Sequence, residues 1–397
     1  MSLGIPAGTA PARVAFYNDP KVRSVAYQLA LCVVIGFVVY SAADNAIVNL
    51  RRAHIASGFG FWNNTAGFDI SQTLIEYSSQ GSTYGRAFWV GLLNTLLVAA
   101  LGIIFATILG FTIGIGRLSR NWLVSRACTG YVETIRNIPL LLQLLFWYNA
   151  VLKALPETRD SFTLPLHIFL NNRGLILPKP VGQGGEGLLW LLILAGIIAT
   201  VIVHVWAKRR QERTGERAPV FLIGAGLVIV PALVYVLLTG FPYNFDLPQR
   251  GRFNLTGGVE VAPEFAALLL GLSLYTAAFI GEVVRAGILA VSRGQAEAAY
   301  ALGLRPGVTL RLIVLPQAMR VIIPPLTSQY LNLTKNSSLA VAIGYPDLVQ
   351  VFTGTVLNQT GQAVEVVAIT MAVYLTISLV TSLAMNVYNS RMALVER

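Results

Sequence analysis

Leu188-Leu-Trp-Leu-Leu-Ile-Leu-Ala-Gly-Ile-Ile-Ala-Thr-Val-Ile-Val-His-Val-Trp-Ala207 is near-continuously apolar, and Lys208-Arg209-Arg210 follows it directly. A helix that crosses the hydrocarbon core of a bilayer needs about 20 mostly apolar residues. This stretch supplies them. Seven others qualify: Ser24–Ala43, Phe88–Ile115, Ala127–Leu152, Val220–Leu238, Phe265–Ala286, Leu312–Ile343 and Val364–Tyr388. Val220–Leu238 and Val364–Tyr388 are also nearly unbroken, whereas Ala127–Leu152 and Leu312–Ile343 carry charges and prolines. The whole chain agrees with these runs. Its 397 residues are 55% hydrophobic and 12% charged, against about 25% charged in a soluble domain. With a mean hydropathy of +0.65 this excludes an ordinary soluble protein and a disordered one. The expected fold is an all-α integral membrane protein with about eight transmembrane helices.

The charges orient the spans. Cytoplasmic loops retain Lys and Arg. With both termini cytoplasmic, the inside segments hold 17 of the 29 basic residues, the outside segments nine, and Arg136, Arg320 and Lys335 lie within spans. An odd number of spans breaks this alternation. The net charge of +11 is therefore a topology signal rather than a nucleic-acid footprint, since the inside segments alone carry +12. The first span is not a secretory signal peptide: it follows a polar stretch of more than 20 residues and lacks a small-residue cleavage site. Asn49–Arg86 and Lys153–Gly187, the longest segments between spans, read as external loops or short caps.

Catalytic motifs are missing. There is no Gly-Lys-Ser/Thr step for a phosphate-binding loop and no Gly-x-Ser-x-Gly elbow. His54, His167 and His204, like Cys32 and Cys128, have no partner at metal-ligand spacing.

The informative stretch is the inside loop Ala290-Val-Ser-Arg-Gly-Gln-Ala-Glu-Ala-Ala-Tyr-Ala-Leu-Gly-Leu-Arg-Pro306. Its punctuation predicts a short helix. Ser292 is placed as N-cap, with Gln295 completing a capping box; Gly303 supplies a left-handed C′ position, and Pro306 prevents continuation. An alanine-rich helix this short needs something to pack against. By punctuation alone it is either a capped connector on the membrane surface or a docking element.

Glu297-Ala298-Ala299, then Gly303, then Leu315-Pro316 resembles the EAA motif of permease subunits of bacterial ABC importers. Glu133-Thr-Ile-Arg136-Asn-Ile-Pro139-Leu-Leu-Leu-Gln143, Gly281-Glu282-Val-Val-Arg285-Ala-Gly287, Ile322-Ile323-Pro324-Pro325 and Asn332-Leu-Thr-Lys335-Asn-Ser-Ser-Leu339 are similar to the polar amino-acid permeases of that group, related to histidine permease subunits. The layout looks like the larger permease of a general L-amino-acid importer. The resemblance implies a five-span core with one extra span in front and a two-span insert. Residues 1–87 then hold a cytoplasmic tail, the extra span and a periplasmic loop; 88–152 the first two core spans; 153–262 the insert with its periplasmic loops; and 263–397 the last three core spans, with the coupling loop at 290–310.

It further implies an L-amino-acid translocator of the bacterial inner membrane that works by alternating access and catalyses no chemistry. Its partners are an ATPase dimer that binds ATP and Mg, a second permease subunit (a related, different chain), a periplasmic amino-acid-binding protein and membrane lipid, with no nucleic acid. No cofactor and no metal are expected in the chain itself. Glu297, Ala298, Ala299, Gly303, Leu315 and Pro316 are the implied ATPase-coupling residues.

Gate or pathway candidates come from charges and amides inside spans, where an ionisable group is costly and faces protein, water or a partner charge. Glu133/Arg136 and Glu282/Arg285 are i,i+3 pairs that share a helix face. They either neutralise each other locally or exchange partners across spans as an inner gate. Gln143, Asn332 and Lys335 complete the set, with Lys335 either a carboxylate attractor beside a Pro324-Pro325 break or a structural anchor. Gly110-Phe-Thr-Ile-Gly114 fits small-xxx-small helix packing. A secondary, ion-coupled transporter and a membrane scaffold are the rival readings; neither accounts for the EAA-type loop.

Overall fold

The computed structural model describes residues 20–52, 57–215, 218–251 and 254–392. Arg13, Asp19, His54, Glu216, Arg217, Arg252, Glu396 and Arg397, counted above, lie outside the described residues.

The helices are α1 Pro20–Arg52, α2 Tyr84–Arg117, α3 Trp122–Asn137, α4 Leu140–Leu145, α5 Glu186–Thr214, α6 Val220–Thr239, α7 Pro263–Leu289, α8 Arg293–Ala301, α9 Pro306–Thr309, α10 Leu315–Asn336, α11 Leu357–Thr360 and α12 Ala363–Met392. Among the described residues, seven helical segments are long and apolar enough to cross a membrane, and α3 with the helix through Leu152 makes an eighth if a bent pair counts as one span. That bend corrects the expected straight span Ala127–Leu152. The chain turns by 105° between Asn137 and Leu140. Ile138 is extended (φ −99°, ψ 126°), as the residue before a proline prefers, and Pro139 starts the second limb. The amide of Gln143 donates to the carbonyls of Ile135 and Ile138, both at 2.9 Å, and satisfies groups freed by the break.

The seventh span departs from expectation in the opposite way. Pro324 and Pro325 do not interrupt α10. The irregular backbone flanks it instead, as a π-helical turn at Leu310–Val314 and a 3₁₀ stretch at Ser337–Ile343. Both prolines lie on the exposed face, while Ile322, Ile323 and Leu326 pack the other face of the helix into the bundle, and packing of this kind lets a spanning helix absorb proline.

The bundle centres on α7. Of its most apolar 18-residue window 61% is buried inside the chain, against none for α1 and 11% and 6% for α5 and α6. α2 and α7 run parallel, with Gly110 and Gly114 against Ile280, Gly281 and Val284. α10 runs antiparallel to both: Ile322 meets Gly287, and Leu333 meets Gly102. In lipid, helices gain little from hydrophobicity toward each other, so close backbone approach at small residues takes its place. A second cluster of Phe61, Phe88, Phe352 and Val366 ties the 57–83 loop to α2, to the π-helical segment Val349–Val356 and to α12.

The helical class holds, with one addition. The strands are β1 Phe162–Leu164, β2 Ile168–Asn171, β3 Gly174–Leu177, β4 Lys179–Gly182, β5 Tyr243–Asp246, β6 Gln249–Arg250, β7 Leu255–Thr256 and β8 Val259–Val261. They form an antiparallel sheet in the order β1-β2-β3-β8 and two ribbons, β4-β5 and β6-β7. The two flanks of the insert thus pair with each other across the α5–α6 hairpin. This cap sits where α7 begins; α8 lies at the opposite end of the bundle.

Candidate functional site

The loop after α7 forms the predicted short helix. Ser292 occupies the N-cap position, but its side chain caps nothing. The expected capping box is therefore not formed: the Gln295 amide oxygen accepts from Gln317 Nε2 at 3.4 Å, which ties α8 to α10. The other end follows the sequence reading. Gly303 has φ +75°, its N–H donates to Tyr300 O at 2.9 Å, and Leu304 N–H donates to Ala299 O at 3.1 Å. This is a Schellman closure. Ala299 is buried against the chain, while Glu297, Ala298 and Gly303 are exposed. Leu302 is 80% exposed and Tyr300 is exposed beside it. Leu315 is half-buried, and Pro316 directly follows the π-helical turn Leu310–Val314 at the start of α10. The end opposite the sheet thus presents a rigid helix carrying uncovered apolar side chains.

One turn deeper lies a charged seam. Glu282 is bonded to Arg117 of α2 and, at 2.6 Å, to Arg285 of its own helix. The i,i+3 pairing is legible in sequence. Arg117, 165 positions away, is not, and by sequence it reads with the inside loop. Glu133 and Arg136 behave differently. Arg136 lies over the Phe279 ring with 5.0 Å to the centroid, and the Glu133 backbone carbonyl accepts from Asn137 Nδ2. Arg136, Phe279, Glu282, Val321, Pro325 and Gln329 line a cavity of about 490 Å³. Gln329 has no signal in the sequence beyond its place four residues after Pro325.

Asn332 and Lys335 extend the exposed stripe of α10, which continues from Val321, Pro325 and Ser328. Ile322, Ile323, Leu326 and Leu333 are buried on the other face. Lys335 thus faces away from its own bundle, rather than into a cavity at a proline break. Gln143 is spent on the bend described above. Asp347, which by sequence belongs with the outside acids, is fully buried between the last two spans. Burial pushes its carboxyl up to about 7, against the pull of Gln350 N–H and the Tyr374 hydroxyl, which both donate to it.

The described residues thus form a bundle of candidate spans with a short helix at one end that exposes apolar side chains. Residues 102–394 match the model of the family described as binding-protein-dependent transport system inner membrane component, and the chain belongs to that family, as a multi-pass inner-membrane permease. It is 55% identical over 386 residues to the general L-amino acid transport system permease protein AapQ of Rhizobium johnstonii, covering 97% of this chain and 96% of that one. It is 44% identical over 410 residues to the glutamate/glutamine/aspartate/asparagine transport system permease protein BztB of Rhodobacter capsulatus, covering 96% of each. Among solved structures, a crystal structure of an amino acid ABC transporter with histidines aligns at 20% identity and a TM-score of 0.47, covering 78% of this chain and 95% of that one.

Proposed function

We propose that the chain is the permease subunit through which an ABC importer passes L-amino acids, with both termini and α8 on the cytoplasmic side. The single observation that carries this reading is α8 itself: a closed helix whose Glu297-Ala298 face and Leu302 stand uncovered at one end of the bundle. An exposed apolar group rimmed by polar residues fits a protein partner. The family resemblance supports a separate ATPase as that partner. ATP and Mg belong to its site, and no residue of this chain is assigned to them. Leu315 and Pro316 lead from α8 into α10, so displacement of α8 reaches the span that carries Asn332 and Lys335.

Alternating access follows from linkage. A ligand shifts a conformational equilibrium only by its differential affinity for the two states. A loaded binding protein at the sheet end and ATP in the partner must therefore each favour a particular rearrangement. A second, related permease subunit would cover the α10 stripe and complete the path. The seam of Arg117, Glu282 and Arg285, with Arg136 beside its cavity, is placed to hold the inner gate. Amino-acid specificity rests on the relatives named above. The ion-coupled alternative has no use for α8 and conflicts with the family.

Co-purification and uptake test the reading together. In mild detergent the chain should retain an ATPase subunit, and the complex reconstituted with its binding protein should take up amino acids only with ATP. Purification without an ATPase, or ATP-independent uptake, overturns it.

Three substitutions probe the path. Arg136→Ala and Glu282→Ala should each lower uptake by about tenfold, because the first removes the cation held over Phe279 at the cavity and the second leaves Arg117 and Arg285 without their shared carboxylate. Intact transport and intact coupled ATP hydrolysis in both variants removes the gate. Lys335→Met should weaken uptake with little change in yield, because its side chain is exposed on the chain; unchanged half-saturation excludes Lys335 from the path.

A further inference from the structure

The insert does more than lengthen the chain. Its sheet, the 57–83 loop, the middle of α2 and the start of α7 line a cavity of about 930 Å³ toward the end opposite α8. Four charged residues line it: Lys153, Arg173, Glu260 and Glu264. Leu97 and Leu101 of α2 and Phe265 of α7 provide its apolar wall.

The four charges are not paired with one another. Tyr148 separates Lys153 from Glu264: the Lys153 ammonium lies 4.4 Å from the centre of its ring, and its hydroxyl donates to Glu264 Oε1 at 2.6 Å. Both charges are thereby held in place without cancelling. Arg173 sits in the two-residue turn of the β2–β3 hairpin, between the paired residues Asn171 and Gly174. Two bonds fix that turn: Arg173 N–H donates to Asn171 Oδ1 at 2.8 Å, and Asn172 N–H donates to Pro156 O at 2.9 Å. Glu260 lies on β8, paired to β3. Lys153, Arg173 and Glu260 thus come from the insert, and Glu264 from the first turn of the core helix α7.

We infer that this cavity is a vestibule that captures the zwitterionic head of a free α-amino acid, with Lys153 and Arg173 toward the carboxylate and Glu260 and Glu264 toward the ammonium. The inference rests on the amino-acid reading proposed above and on the sheet end facing outward. Opposite charges that do not neutralise each other suit a ligand carrying both signs on one carbon. The apolar wall would meet the side chain without demanding a hydrogen bond from it. The roomy volume fits a site that selects the shared head and tolerates different side chains. In this reading the insert supplies three of the four recognising charges.

Equilibrium binding of radiolabelled L-glutamine to the permease–ATPase complex, without binding protein, tests the site. Two competitors separate its halves: glutaramic acid lacks the ammonium, and 4-aminobutanamide lacks the carboxylate. In the unaltered complex both should compete at least about tenfold more weakly than L-glutamine. Arg173→Gln should erode the preference over 4-aminobutanamide, and Glu260→Gln the preference over glutaramic acid, each by about three- to tenfold. Both side chains are exposed, so thermal unfolding of the complex should not move. If the full system transports glutamine while the permease–ATPase complex binds none, or while both variants keep affinity and ranking within about twofold, the vestibule is wrong and the transport function stands. If the full system moves no amino acid, the reading beneath the inference fails with it.

Discussion

Gly303→Asp should leave membrane insertion and yield unchanged while lowering binding-protein-stimulated ATP hydrolysis and uptake by at least about tenfold, the equivalent of ~1.4 kcal/mol. The first half follows from the structure of the turn. Gly303 is left-handed at φ +75°, and a Cβ built there meets nothing within 4 Å. Aspartate visits this conformation more readily than most residues, at a strain of about 1–2 kcal/mol. The helix end should therefore persist. The second half follows from chemistry. The new carboxylate projects beside Leu302, which the partner is proposed to cover, and a desolvated charge without a counterpart opposes docking. Loss of the ATPase chain on detergent purification would place the defect at docking, and retention with uncoupled hydrolysis would place it at transmission. Normal uptake with normal stimulation sinks the coupling role of α8.

Gly114→Leu should act on the fold itself. A Cβ at Gly114 would lie 2.7 Å from the carbonyl oxygen of Gly281 and 2.7 Å from Val284 Cβ. Backbone on α7 cannot step aside, so the two central parallel helices must separate. Overpacking of this kind costs about 1–3 kcal/mol, and occasionally more where backbone is struck. The Arg117–Glu282 bridge spans the same seam and should weaken as it opens. Thermal unfolding in detergent should show a clear loss of stability and a lower folded yield. The matched change Gly226→Leu on α6, where a Cβ meets nothing within 4 Å, should be close to neutral. Equal stability of the two variants would show that the small-residue seam does not set the approach of α2 and α7.

Much of the architecture is legible in the amino-acid sequence. Val220–Leu238 corresponds to α6 at Val220–Thr239, and Phe265–Ala286 to α7 at Pro263–Leu289, because a long apolar run has few alternatives once its backbone must satisfy itself in lipid. The left-handed Gly303 is legible for a local reason: a helix followed by a lone glycine and then a proline closes in few ways. Gly110 and Gly114 are legible as a packing pair, though not their partner.

The features that escape such reading depend on distance or direction. Pro139 marks a break without revealing its 105° angle, which the Gln143 amide and the α7 surface fix together. Pro324 and Pro325 read as a second break, but buried neighbours hold α10 through them. Ser292 and Gln295 meet the capping-box spacing, yet Gln317 of α10 offers Gln295 another partner.

Contiguous residues were enough for the class of the molecule, the bounds of most spans, the alternation of basic loops and the short helix after α7. These are properties of contiguous residues, decided by burial in lipid, charge at its surface and local backbone preference. Which charges meet depended on how the helices pack in three dimensions. That packing joined Arg117 to Glu282, set Arg136 over Phe279, buried Asp347 and paired β3 with β8 across two intervening spans. No periodicity encodes those contacts, because they arise between elements whose relative placement is set by packing around α7. The mixed-charge cavity at the sheet end exists for the same reason.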